Sequence, residues 1–277
     1  MVLFRFITFV WISLLTTSQA YTQVQGSNLD DLAKELSNPG AANATLNNKL
    51  EYRTFGGDLP GANRQDNFTY TFQPVFPFVL PNNDNLIFRP AFSHVWDQPV
   101  FDPGADAFGN EHGFGDIPFD ILYATQRGSW TLGAGAVGAI PTGTDISSDN
   151  WLLGPSMLAV NTQDWGVWGL FPFHNEKIGG DGADFSVTSL QYFLFYSLGG
   201  GWQIGTGPTI TYDWNASSDD AWTVPVGLTI AKTTSIGGTP VKMNLGAEYN
   251  IVRPDSFGSD LKVTLTISPV IKNPFQR

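Results

Sequence analysis

The sequence predicts an all-β chain: a single transmembrane antiparallel β-barrel of about 12 strands, with a short N-terminal periplasmic helix. Three observations lead there. Apolar and polar residues alternate strictly over runs longer than the strands of globular domains. Short connections and long polar connections take turns along the chain. Tryptophans gather at both ends of the runs.

The N-terminal residues 1–20, MVLFRFITFVWISLLTTSQA, read as a signal peptide. Arg5 supplies the positive start, Phe6 to Leu15 the apolar centre, and Ser18-Gln19-Ala20 a small-residue cleavage site. That apolar run is about ten residues, half of the ~20 a spanning helix needs, so cleavage near Ala20 and export are expected. Residues 21–45 are expected to form a periplasmic N-terminal segment with one helix, Leu29 to Leu36. Ser27 or Asn28 would cap it, Asp30 and Asp31 suit its first turn, and Asn38-Pro39-Gly40 stops it. Residues 46–277 would form the barrel.

From there a period of two takes over. Phe68, Tyr70, Phe72, Pro74, Phe76, Phe78 and Leu80 share one face of a single extended run. Trp202 to Trp214, Val241 to Ile251 and Leu261 to Ile267 repeat the pattern, each apolar face backed by Gln, Gly, Thr, Asn, Lys or Glu. Strands are expected near 45–55, 67–80, 85–97, 116–126, 130–141, 151–161, 164–174, 185–198, 201–214, 222–232, 240–252 and 260–271. These lengths match the ~9–11 residues or more of membrane strands rather than the five or six typical of globular ones.

The connections alternate too. Pro81-Asn82-Asn83-Asp84, Arg127-Gly128-Ser129, Thr162-Gln163 and Gly199-Gly200 are tight, with Thr233 to Thr239 the longest of that set. Between them come polar stretches at 56–66, 98–115, 142–150, 175–184, 215–221 and 253–259. Tight turns at one end and longer loops at the other are the layout of a barrel crossing an outer membrane. Trp130, Trp165 and Trp202 follow short turns, whereas Trp96, Trp151, Trp214 and Trp222 border long loops. That sorting predicts two aromatic girdles, one at each interface.

Composition narrows the function. Only 14% of the 277 residues are charged while 14% are aromatic, and the net charge is −11. An acidic chain does not suit nucleic acid. The absence of Cys excludes disulfides, thiolate metal sites and Cys nucleophiles. His94, His112 and His174 stand in separate segments, which does not favour a histidine metal site, and no cofactor is expected.

Three stretches carry a resemblance: Leu32-Ala33-Lys34-Glu35-Leu36-Ser37-Asn38-Pro39, Phe72-Gln73-Pro74-Val75-Phe76-Pro77-Phe78, and Thr211-Tyr212-Asp213-Trp214 with Trp222-Thr223-Val224-Pro225-Val226. Together they resemble a family of bacterial outer-membrane proteins. Its members are described as transporters, as the MetA-pathway of phenol degradation family, or under the misapplied label neuromedin U. The resemblance spans about residues 29 to 271. It implies an outer-membrane barrel with a transport role and brings no catalytic signature. One departure is the C terminus, where Phe275 is followed by Gln276 and Arg277 instead of closing the last strand.

The polar face is expected to line the lumen, with charges at Arg89, Asp120, Asp213, Lys242, Glu248 and Lys262. Glu248 and Lys262 would pair, since a buried charge needs a partner. The other reading of these charges is a constriction that faces a solute. Twelve strands lie between the ~8 that side chains can fill and the ~16 that leave a water channel, so a narrow and an open pore both fit. The long loops hold most of the acid, and an acidic mouth would attract cations. Within them Asp102, Asp106 and Glu111 offer hard oxygen ligands for Ca²⁺, without the spacing of an EF-hand; a solvated acidic loop is the plainer reading.

Catalysis would need a histidine beside an activated hydroxyl. His94 lies in the Leu86, Phe88, Phe92, Trp96 register and fits a girdle as well as a base; no G-x-S-x-G is present. The expected function is passive passage of small molecules, hydrophobic or aromatic compounds included, through a non-enzymatic barrel. The alternatives are a non-conducting structural or surface barrel and a lipid-acting hydrolase. The expected partners are outer-membrane lipid, a small-molecule solute and the barrel-assembly machinery, with no nucleic acid.

Overall fold

The computed structural model describes residues 29–275; the expected signal peptide lies outside the described residues. One helix, α1 (Leu29–Glu35), precedes fifteen strands. They are β1 (Thr45–Gly56), β2 (Asp66–Val79), β3 (Asn85–Pro90), β4 (Phe92–Asp102), β5 (Ala107–Phe114), β6 (Ile117–Arg127), β7 (Trp130–Ile140) and β8 (Asn150–Gln163). Then follow β9 (Gly166–Gly180), β10 (Ser186–Gly199), β11 (Trp202–Thr206), β12 (Thr209–Asp213), β13 (Trp222–Ile236), β14 (Thr239–Val252) and β15 (Gly258–Pro269).

Three pairs of these strands are collinear. β3 and β4 both lie along β2, β6 and β5 lie along β3 and β4, and β11 and β12 both lie along β10. The fifteen strands therefore make twelve antiparallel staves. Two of the breaks have a local cause. Gly207 and Pro208 separate β11 from β12, and proline has no N–H for the ladder. Pro90, which has no N–H to give, ends β3, and the next residue, Ala91, keeps the β3–β6 register by donating to the carbonyl of Pro118 at 2.8 Å. β1 pairs with β2 on one side and with β15 on the other, Leu50 standing opposite both Tyr70 and Leu265. The barrel is thus closed through β1, and among the described strands β5, which pairs with β4 alone, keeps one edge outside the ladder.

Alternation decides the outside. Leu228, Leu245, Leu265, Leu194 and Met157 all project from the wall as exposed large apolar side chains, Met157 at 64%. An apolar exterior around paired strands is the arrangement of a barrel built to stand in lipid. The inside is less uniform than the sequence predicts. On β3 and β6 to β10, Ile87, Leu122, Leu158, Val160, Val167, Phe171 and Phe193 point inward and form a buried apolar cluster. The alternating glycines of β7 allow this crowding, because a Cβ on Gly135 would stand 2.0 Å from the carbonyl oxygen of Ile121.

Several boundaries move. The expected loop 98–115 is largely a hairpin of β4 and β5 that prolongs the wall, with Phe101 and Phe108 in contact at 5.1 Å. β9 continues to Gly180 where a loop from 175 is expected. The expected connection 233–239 shrinks to Gly237-Gly238, with φ of 59° and 85°. Two consecutive left-handed residues make the tight hairpin turn that matches strand twist, and glycine adopts them without cost to a side chain. Phe275 lies beyond β15, with its ring against Phe76 and Phe78 on the outer wall.

The helix forms as the first-turn acids and the Lys34–Asp31 ion pair (2.9 Å) favour, but it does not stand apart from the barrel. α1 and the segment after it lie inside the wall at the short-turn end, with Leu32 and Ala33 buried. Gly201 donates its N–H to Asp30, Asn38 donates to Thr131 Oγ1 at 2.8 Å, and Asn85 donates to the carbonyl of Gly40 at 3.3 Å. The N-terminal segment is a plug.

Candidate functional site

Between the plug and the wall lie two adjoining cavities of about 420 and 320 Å³. Their walls bring together Lys49, Asp120, Lys242, Glu248 and Lys262, from strands as distant in the chain as β1 and β15. Arg89 and Asp120 face each other across the β3–β6 ladder. Arg89 Nε donates to both carboxylate oxygens at 2.9 Å, each side chain being only 13% exposed. The same guanidinium reaches the carbonyl of Pro39 at 3.3 Å and lies 5.7 Å from the ring of Phe171. It therefore pins the plug as well as neutralising Asp120.

Glu248 and Lys262 are register partners on β14 and β15 and meet at 2.8 Å. Arg53 closes on Glu51 at 2.5 Å. Lys242 is buried, and its ammonium donates to Ser37 Oγ, to Gln203 Oε1 at 3.1 Å and to the carbonyl of Ala33 at 3.4 Å. Asp213 stands apart from these residues, accepting a turn hydrogen bond from Asn215 N at 2.9 Å at the far end of β12.

Sequence reasoning missed Lys49, Ser37, Gln203, Phe171 and Phe173. Lys49 had a signal: Asn47, Lys49, Glu51 and Arg53 alternate with apolar Leu46, Leu50 and Tyr52 on β1. Ser37 and Gln203 had none, since nothing local says that a helix will be threaded through the barrel. The two phenylalanines run against the rule that the inner face is polar.

The described tryptophans lie on the outer wall. Trp130, Trp165 and Trp202 are exposed at the short-turn end, and Trp151, Trp214 and Trp222 at the long-loop end. Trp168 joins Trp130 edge-on at 5.2 Å, and Lys232 lies 4.9 Å from the Trp202 ring. Trp96 packs with His94, ring centres 4.3 Å apart, and Phe114 meets the other side of His94 at 5.0 Å. His94 thus packs among rings, and no hydroxyl among the described residues is hydrogen-bonded to it. His174 is different: on the outer rim its Nδ1 lies 3.0 Å from Thr188 Oγ1 and its Nε2 3.1 Å from Glu176. The Trp214 indole donates to the same hydroxyl at 2.8 Å.

At the long-loop end the acids are dispersed. Glu111 is opposite Gln98, whereas Asp102 is opposite Ala107, four ladder rungs away. Asp102 instead accepts from Gly104 N at 2.8 Å. Among the described residues no three acidic or histidine side chains converge on one metal position. Asp116 organises the neighbouring loop. Partial burial works against its charge, but hydrogen bonds from Ser147 Oγ (2.6 Å), Ser148 and Thr142 N outweigh it and hold the carboxyl below its usual range.

No protein-family profile and no curated protein sequence matches the chain. Solved structures do. An outer membrane channel from Pseudomonas putida F1 superposes with a TM-score of 0.61 at 15% identity, covering 83% of this chain and 96% of that one. The NanC porin superposes with a TM-score of 0.51 at 12% identity, covering 82% and 99%. Outer membrane phospholipase A from Escherichia coli follows at 0.43 and 10%, covering 88% and 98%. At these identities what is shared is architecture, and the chain has the fold of the twelve-stranded outer-membrane barrels.

Proposed function

We propose that the protein is a passive channel for small molecules in a bacterial outer membrane, its short turns and N-terminal plug on the periplasmic side. One observation carries this reading. The lumen is not filled by the wall: two cavities totalling several hundred cubic ångströms, lined by Lys, Gln, Asn and Thr, remain beside the plug. A structural barrel closed by side chains has no use for them. The resemblance to a transporter family and the likeness to channel folds support the same conclusion, and the aromatic rings on the inner wall suit hydrophobic or aromatic solutes. Swelling of proteoliposomes in uncharged solutes of graded size tests it. Small solutes should enter and larger ones should not; impermeability to all of them would leave a structural barrel.

The Thr188–His174–Glu176 chain favours a second reading, a lipid-acting hydrolase. A hydroxyl, an imidazole and an orienting carboxylate lie in sequence on the lipid-facing rim. Against it, Thr188 and His174 sit in register between paired strands, so the backbone donors that an oxyanion needs are taken up in the ladders. Release of free fatty acid and lysophospholipid from phospholipid vesicles by the protein, abolished in Thr188→Ala, would establish it.

A further inference from the structure

The lumen contains positive charge that the barrel does not cancel. Arg53, Arg89 and Lys262 each close on a carboxylate, at 2.5, 2.9 and 2.8 Å. The Lys49 ammonium has no hydrogen bond or ion pair among the described residues. Its charged neighbours are Glu51, Arg89, Lys262 and Asp120. The two acids are already held by Arg53 and Arg89, and the other two neighbours are bases. Lys242 is hydrogen-bonded, but only to the neutral oxygens of Ser37, Gln203 and Ala33, so its charge is solvated without being neutralised. Both ammonium groups line both cavities, and Glu35 at the end of α1, itself exposed, is the one carboxylate outside an ion pair on those walls. Two cations thus face one exposed acid.

The surroundings of this charge are aromatic. Phe171 and Phe173 line the larger cavity, Phe193 and Phe195 the smaller, and the Lys242 ammonium lies 5.3 Å from the Phe195 ring. A positive focus beside ring faces is complementary to a small organic anion with an apolar body. We propose that the mid-lumen is a binding site for such a carboxylate, its charge received by Lys49 and Lys242 and its body laid against the phenylalanines. This assignment rests on the channel reading for its role in passage, but binding itself does not.

The acidic outer loops do not contradict it. Lys49 lies seven residues below the long-loop end of β1, roughly 17 Å along the barrel at the usual rise and tilt. That distance is about twice the ~8 Å screening length at physiological salt, so the mouth and the constriction act on a solute separately.

Calorimetric titration of benzoate into the detergent-solubilised full-length protein is the direct test. Benzoate should bind, and Lys49→Gln should weaken it by about tenfold or more, the value of one lost charge-assisted hydrogen bond. Lys49→Arg should restore most of the affinity, and Lys232→Gln, on the outer wall, should leave it unchanged. Benzamide, which keeps the ring without the charge, and acetate, which keeps the charge without the ring, should both bind more weakly. Equal affinity for benzoate and benzamide, indifference to Lys49→Gln, or no binding would overturn the site. Benzoate binding in a protein that passes no ions or solutes would keep the site and remove the channel.

Discussion

Leu245 is the most informative position for the wall. It is the seventh residue of β14, stands opposite Ile230 on one side and Leu265 on the other, and is 52% exposed to the exterior. Each strand residue advances about 3.4 Å along the chain and about 2.5 Å along the membrane normal at the usual tilt. Six steps from the strand start place Leu245 roughly 15 Å into a belt about 25 Å tall, close to its middle. Arginine there costs about 2–4 kcal/mol, a shift of roughly 30- to 700-fold in the folding equilibrium. Asn244, one residue earlier, lines both lumenal cavities, where water can solvate a guanidinium. Leu245→Arg and Asn244→Arg therefore differ by a single step and should differ by most of that energy. Urea titration of folding into phospholipid vesicles reads the difference. Equal midpoints for the two variants would refute the assignment of inside and outside.

Other expectations follow from the same geometry. Cysteine placed at Asn110 or Asp219 should react with an impermeant maleimide on intact cells, whereas at Arg127 or Asp164 it should react only after the envelope is opened. Gly135→Ala should destabilise the barrel by about 1–3 kcal/mol, read as a lowered urea midpoint, because the new methyl meets the Ile121 carbonyl. Asp116 has a folded pKa below its unfolded value, so its contribution is complete above the usual ~3.9 and is lost as pH falls through the lower folded value. Hydrogen exchange in residues 142–150 should accelerate over that acid window and lose this dependence in Asp116→Asn. Neutralising Asp102, Asp106 and Glu111 together should move the reversal potential toward anions at low salt. At 1 M, where screening falls to about 3 Å, it should change little.

How much of this was legible in the chain depended on whether the determining contact was local. Strand existence and face were local: alternation such as Val241 to Ile251 puts Leu245 outside and Asn244 inside without reference to any other strand. The pairs Glu248–Lys262 and Arg89–Asp120 sit on neighbouring staves in register, so adjacent runs of sequence were enough to make the first foreseeable. The plug was not. Leu29 to Leu36 announces a helix through its acids and its stop, but the partners that draw it inward, Gln203, Thr131 and Lys242, are scattered over three distant strands. The inner apolar cluster misled for the same reason. Phe171 and Phe173 break the polar-inside rule where the N-terminal segment narrows the lumen beside them, and the alternation pattern of β9 carries no trace of that segment. Loop boundaries failed where polar residues such as Asn110 and Glu111 sit in a hairpin that stands in water and needs no apolar face.

The central claim is that a solute can pass through a lumen narrowed by residues 29–43. Single-channel recording of the purified full-length protein in a planar bilayer tests it most directly, with a variant lacking that segment recorded in parallel and its folding verified by heat-modifiable gel migration. The structure predicts discrete conductance steps from the full-length protein and larger steps once the segment is removed. A full-length protein that is folded and inserted but gives no steps would contradict the account.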